Sequence, residues 1–243
     1  MHDGAQLLER LLEQLKGEFG DDLLGVLITG SRVHGTPDPT SDLDVHVVID
    51  LPRRRRKNIV LDGLEIEMFF NPPYRVRRYF EDEHGGSLHM FTFGRAIYDP
   101  KGILAELQAE ARTGWERGPQ PIPEEVLILH RYGPADLLRD LQDVGEGDEA
   151  TANLLIVQLV DSLIDTHCRL RGQWPHKVKR RLASLAQWDA LAAQLARSAL
   201  SAGSLADRRA AVAQLAEHVL APIGGLAPLA WEMPWEELAP PQA

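Results

Sequence analysis

The chain reads as an α+β protein in which a mixed sheet with flanking helices is followed by a C-terminal helical bundle. Three observations predict this. Two short apolar runs, Leu23 to Thr29 and Asp42 to Ile49, have the length and β-branched content of strands. Asp62-Gly63 is a two-residue hairpin signal between Asn58-Ile59-Val60-Leu61 and Leu64-Glu65-Ile66-Glu67-Met68-Phe69-Phe70. Beyond the proline-rich stretch Gly118-Pro119-Gln120-Pro121-Ile122-Pro123 nearly every pattern is helical, so the expected domains are residues 1–120 and 121–243. A chain of 243 residues is long enough for two modest cores.

Gln6 to Phe19 is an amphipathic helix with Leu7, Leu8, Leu11, Leu12 and Leu15 on one side. The first strand follows and stops at Gly30, whose backbone freedom brings the main chain close to a ligand. Ser31 caps the short turn Ser31 to Gly35 and points a hydroxyl outward; a turn start of this kind presents free N–H groups that suit phosphate. Thr36 to Thr40, with Pro37 and Pro39, form a loop, and Asp42 to Ile49 resume an extended pattern. Side chains alternate across a strand, so Asp42 and Asp44 share one face while Leu43, Val45 and Val47 take the other. Lys57 to Phe70 is the hairpin. Glu65 and Glu67 lie on one face of its second arm, Glu65 near the turn and Glu67 deeper, leading into an apolar run. Glu67 is the choice for a third carboxylate, with Glu65 in reserve.

After the linker, Glu124 to Tyr132 and Pro134 to Val144 are expected as two helices separated by Gly133, with Pro134 as a first helical residue. Glu149 to Arg171 is a long helix that Gly172 ends. Lys177 to Ala186, Trp188 to Leu200 and Leu205 to Leu220 complete the bundle. The tail from Pro222, with Trp231 and Trp235, has no period; it either packs its tryptophans on the body or stays loose.

The carboxylates carry the chemistry. Two of them about 6 Å apart repel by about 3 kcal/mol at an effective dielectric near 20, and a third multiplies the pairs. A bland fold gains nothing from that. Mg²⁺ favours such oxygens together with waters and substrate phosphates. Gly30-Ser31, ten residues, Asp42-x-Asp44 and then a glutamate on a later strand resembles the polymerase β-type nucleotidyltransferase superfamily. The nearest likeness is to two-domain bacterial proteins that include the aminoglycoside nucleotidyltransferases. The surrounding words Gly30-Ser31-Arg32-Val33-His34-Gly35-Thr36 and Ser41-Asp42-Leu43-Asp44 match as well, and the motif covers roughly residues 23 to 70.

The resemblance implies an N-terminal nucleotidyltransferase domain. It implies Mg²⁺ or Mn²⁺ held by Asp42, Asp44 and Glu67, and ATP or another nucleoside triphosphate gripped at Gly30 and Ser31. A lysine of the helical domain that reaches the phosphates would be Lys177 or Lys179; the plain reading of this group is an exposed helix face. The implied reaction moves a nucleoside monophosphate, AMP from ATP in the first instance, to a hydroxyl and releases pyrophosphate. The acceptor reads as an aminoglycoside-like small molecule, or a protein partner as in antitoxin-type enzymes. The non-enzymatic alternative is a nucleotide-binding module.

A formal net charge of −10 argues against nucleic acid as a partner and is compatible with a cationic acceptor. The single cysteine, Cys168, excludes an internal disulfide and any multi-cysteine zinc site, and reads as a small packed hydrophobe. No run approaches 18 apolar residues, so no membrane partner and a cytoplasmic location are the default. Arg53-Arg54-Arg55-Arg56-Lys57 reads as a solvated loop between two strands, or else as a flexible clamp on an anion. His34, His46 and Arg95 are candidates for ligand contact against a structural reading of each, and Asp161 with Asp165 forms either a second acidic patch or a solvated helix face.

Overall fold

The computed structural model describes residues 3–30, 33, 42–145 and 147–235. The chain divides into two compact units, Met1–Pro119 and Gln120–Ala243. The first contains helix α1 (Asp3–Phe19), strands β1 (Leu23–Thr29), β2 (Leu43–Ile49), β3 (Arg55–Leu61) and β4 (Leu64–Asn71), helices α2 (Pro73–Glu81) and α3 (Gly85–Phe93), strand β5 (Arg95–Tyr98) and helix α4 (Ile103–Arg117). The strand order is β3-β4-β2-β1-β5. β2 and β4 are parallel and the other pairs antiparallel, which makes the sheet mixed.

Every residue of β1 and β2 is buried, so both faces of these central strands are covered, and Asp44 and His46 are the polar interruptions in β2. On one face α1 lays Leu7, Leu11 and Leu15 against Val26, Ile28, Val45, Val47, Ile66, Met68 and Phe70. The opposite face takes α2, α3 and α4. A Cβ added at Gly25 would stand 2.6 Å from Leu104 Cγ, so α4 rests directly on the backbone of β1. Phe80 of α2 packs on Phe91 of α3, with ring centroids 5.4 Å apart, and Phe91 packs edge-on against His46 of β2 at 5.3 Å.

The basic run corrects the loop expectation. Asp62 and Gly63, at φ 52° and 76°, make the left-handed turn that a tight hairpin needs. Pairing proceeds from Leu61–Leu64 back to Arg55–Phe70, so Arg55, Arg56 and Lys57 belong to the strand itself. The expected start at Asn58 is too late because these exposed cations satisfy their backbone in the ladder while their side chains stay in water.

The second unit contains α5 (Leu127–Asp143), preceded by the 3-10 turn Glu124–Val126, then α6 (Glu149–Leu170), α7 (Val178–Trp188), α8 (Ala190–Ser201) and α9 (Leu205–Leu220). The break expected at Gly133-Pro134 does not occur, and Pro134 lies inside α5. A proline there costs about 3 kcal/mol of helix stability. Tertiary packing offsets it: Pro134, Ala135 and Leu141 are buried, and Arg131 donates to the carbonyls of Gly224, Gly225 and Leu226 at 2.9, 2.8 and 3.3 Å. The tail is divided. Trp231 packs on Tyr132 at 4.8 Å, and Trp235 is fully exposed. Ala192, Ala193, Ala196 and Ala199 are all buried, four small side chains that let α8 approach its neighbours closely. Cys168 is buried, which pushes its thiol up to about 11 and fits the reading as a packed hydrophobe.

Asp189 joins three helices of this unit. One oxygen caps α8 through the Ala192 N–H at 2.9 Å, and the other accepts from His167 Nε2 and His218 Nε2, each at 2.8 Å. Partial burial alone would raise its pKa; the Ala192 N–H and the two imidazoles outweigh that and hold it down to about 2. A carboxyl depressed below its ordinary value near 4 contributes stability that is present above that value and is lost as pH falls towards 2. Burial also lowers His167, so acid destabilisation begins as pH falls below about 6.5, where the unfolded histidine takes up a proton first. Asp189→Ala is expected to cost about 2–4 kcal/mol through the lost cap and two unpaired imidazoles, and to remove the loss of stability between about pH 4 and 2. Urea unfolding followed over that pH range measures both.

Candidate active site

Asp42 lies immediately before β2, and Asp44 is its second residue. The parallel register sets Asp44 opposite Glu67 of β4, while the antiparallel register on the other side sets Asp44 opposite Thr29. Alternation then brings Asp42, Asp44 and Glu67 to one face. One carboxylate oxygen from each lies within 4.8 Å of those of the other two. Asp44 and Glu67 are buried, each 8 % exposed, and Asp42 is half-buried. At that spacing each pair of charges repels by roughly 3 kcal/mol at an effective dielectric near 20.

Gly30 closes the other side. It has φ +95°, and a Cβ there would stand 3.0 Å from Asp44 Oδ2, so a glycine leaves room for a ligand beside that oxygen. The Val33 N–H returns to the Gly30 carbonyl at 3.2 Å, the hydrogen bond of a tight turn. Ser31, His34 and the loop Thr36 to Thr40 lie outside the described residues.

The two competing glutamates have different surroundings. Glu65 is exposed, and Asn58 Nδ2 donates to it at 3.0 Å. Glu67 is in the carboxylate group and is ion-paired with Arg56 of β3, whose guanidinium also lies 5.2 Å from the Phe69 ring centroid. His46 shares the carboxylate face but stacks on Phe69 at 5.0 Å, with Nε2 3.1 Å from Met90 Sδ, which favours its structural reading. Lys177 is exposed and immediately precedes α7. Arg181 pairs with Asp161, and Arg95 is an exposed residue of the edge strand β5.

Sequence reasoning had Arg56 only as part of a solvated loop or an anion clamp and missed its pairing with Glu67. Counting back from the Asp62-Gly63 turn would have found it, because the register places Asn58 opposite Glu67 and Arg56 opposite Phe69. A second cluster spaced like metal ligands, His167, Asp189 and His218, was also missed. Both of its Nε2 atoms are engaged by Asp189, and among the described residues the buried Nδ1 of His167 has no hydrogen-bond partner to orient the ring for a metal. It reads as a hydrogen-bonded junction. The carboxylate trio, made only of hard oxygen donors, suits Mg²⁺ or Mn²⁺.

Paired strands that gather three carboxylates next to a glycine turn form an oxygen-donor group able to hold divalent cations. Residues 8–94 match the family described as "Nucleotidyltransferase domain". A protein of Methanocaldococcus jannaschii named "Putative protein adenylyltransferase" is 35% identical over 66 residues, which is 26% of this chain and 45% of that protein. The chain thus spans less than half the length of this curated relative. The crystal structure of a nucleotidyltransferase-like protein from Exiguobacterium sibiricum superimposes with a TM-score of 0.52 at 14% identity, covering 89% of this chain and 74% of that one. The match to the nucleotidyltransferase-domain family lies wholly within the first unit, and the solved structure shares the fold. Among the described residues no helix is long and apolar enough to cross a membrane.

Crowded carboxylates are expected to strain the metal-free protein. Asp42→Asn should raise its melting temperature in EDTA by a few degrees, about 1 kcal/mol, and remove the further rise that Mn²⁺ gives the unaltered protein. Thermal melts with and without Mn²⁺ decide this.

Proposed function

We propose that the protein transfers a nucleoside monophosphate, AMP from ATP, to a hydroxyl group of a protein acceptor. The observation that carries nucleotidyl transfer is the convergence of Asp42, Asp44 and Glu67 beside Gly30. The protein acceptor is supported by the printed name of the Methanocaldococcus relative. An aminoglycoside-like acceptor has less support, because the side chain paired with Glu67 is an arginine, which repels a cationic molecule.

Asp42 and Asp44 would hold divalent cations, with Glu67 completing the oxygen set. Bound there, the cations supply Lewis-acid stabilisation of the charge that develops on the phosphoryl oxygens. Gly30 leaves its backbone open to the phosphates of the triphosphate, and Ser31 is the proposed hydroxyl contact. Glu67, buried and fixed by Arg56, accepts the proton of the incoming hydroxyl. The acceptor oxygen forms a bond to the α-phosphorus, the bond from that phosphorus to the bridging oxygen breaks, and pyrophosphate departs with the electron pair.

With α-labelled ATP, Mg²⁺ and a panel of proteins, antibiotics and RNA, label should appear on polypeptide and pyrophosphate should be released. Asp42→Ala or Asp44→Ala should lower turnover by at least about a thousandfold with the far-ultraviolet spectrum unchanged. Activity that survives either substitution would overturn the metal assignment. Nucleotide binding with no pyrophosphate release would favour the non-catalytic module.

A further inference from the structure

Beyond the carboxylates, the same face of the sheet continues into a group of cations that the proposed chemistry does not use. Arg54 Nη1 donates to Tyr79 Oη of α2 at 3.2 Å, and the Arg75 guanidinium lies 4.6 Å from the centre of the Tyr79 ring. Burial raises the pKa of the phenol, but hydrogen bonds from Arg75 and Arg54 outweigh it, and the net shift is downward. Among the described residues no carboxylate pairs with Arg53, Arg54 or Arg75. The neighbouring cations are matched: Arg55 with Glu18, Arg77 with Glu106 and Glu110, and Arg78 with Glu81 and Asp82. One guanidinium on the phenol hydroxyl and a second over its ring, neither with a carboxylate among the described residues, form a site that an oxyanion would complete.

Its position follows from the strand order. Asp44 stands in the middle, with β1 and the Gly30 turn on one side and β4 and then β3 on the other. The proposed phosphate contacts are all at the Gly30 turn, which leaves the β4–β3 side to the acceptor. The cations there are Arg56 on Glu67 and, in the residue immediately before β3, Arg54 on the Tyr79 hydroxyl. α2 reaches this face through the Phe80–Phe91–His46 stack, which brings Tyr79 and Arg75 to it.

We infer that Arg54, Arg75 and Tyr79 form an acceptor-recognition site for a polypeptide segment in which acidic residues flank the reacting hydroxyl. This rests on the proposed transfer to a protein. It reverses the charge preference that the net charge of −10 suggests, because the local field beside Glu67 is set by arginines. Arg54 and Arg75 bind the flanking carboxylates, Tyr79 Oη donates to them, and Arg56 sits between this group and the reacting centre.

The test measures binding apart from turnover. A labelled tyrosine peptide flanked by glutamates is titrated with the full chain in Mn²⁺ and a non-hydrolysable ATP analogue, and fluorescence anisotropy is read. The glutamate peptide should bind at least about tenfold more tightly than its glutamine counterpart. The double variant Arg54→Ala with Arg75→Ala should lose that difference while its melting temperature and ATP-analogue affinity hold. Arg54→Glu with Arg75→Glu should prefer the lysine-flanked peptide, a switch that a purely structural role would not produce. Equal affinity for the glutamate and glutamine peptides, a double variant that keeps the preference, or tighter binding of an RNA oligonucleotide overturns the inference. Transfer of label to acidic and neutral peptides alike would leave the nucleotidyl-transfer reading standing and remove only the recognition site. An acidic preference in binding without any pyrophosphate release would do the reverse.

Discussion

The parallel pairing of β2 with β4 governs the first unit, because it holds Asp44 opposite Glu67 with both side chains buried. Like charges in a partly dry environment repel, and the fold must hold them together against that force. Its means are visible. β2 is buried along its whole length between neighbours on both sides, α1 packs on the back of the sheet, and Arg56 neutralises one of the three acids. An apolar scaffold thus holds together crowded carboxylates that repel one another.

The two units solve their polar problems differently. The first gathers three carboxylates beside a glycine turn, with Arg56 on one of them. The second buries a carboxylate but surrounds it with donors, since Asp189 receives one backbone N–H and two imidazoles. Both groups have the spacing of metal ligands, and their chemistry separates them, since one is made of oxygen donors alone and the other binds two imidazoles to a single carboxylate.

Much of this was legible in the sequence. The apolar runs of β1 and β2 and the Asp62-Gly63 turn are strong local signals, and alternation along β2 is enough to put Asp42 and Asp44 on one face. The preference for Glu67 over Glu65 followed from depth in the hairpin. Residues 71–117 were not legible: α3 has no clear polar face, and β5 is only four residues long. Pro134 misled because its penalty is local, while the packing of α5 and the anchoring of Arg131 on the Gly224 turn come from residues roughly 90 positions away. The start of β3 was misplaced for a related reason. A run of cations resembles a loop, but an edge strand with its side chains in solvent accommodates charge readily.

The composition of that run has a consequence for how the hairpin tolerates change. Arg55 and Lys57 occupy the opposite parity to Arg54 and Arg56; Arg55 pairs with Glu18 and sits over the Phe70 ring on the α1 side of the sheet. If an insertion or deletion near Asp62-Gly63 slid β3 by one position, every side chain would change faces, yet a positive charge would still arrive beside Glu67. Redundant basic residues therefore buffer the acidic centre against register error, and this edge of the sheet can drift in length without leaving that carboxylate uncountered.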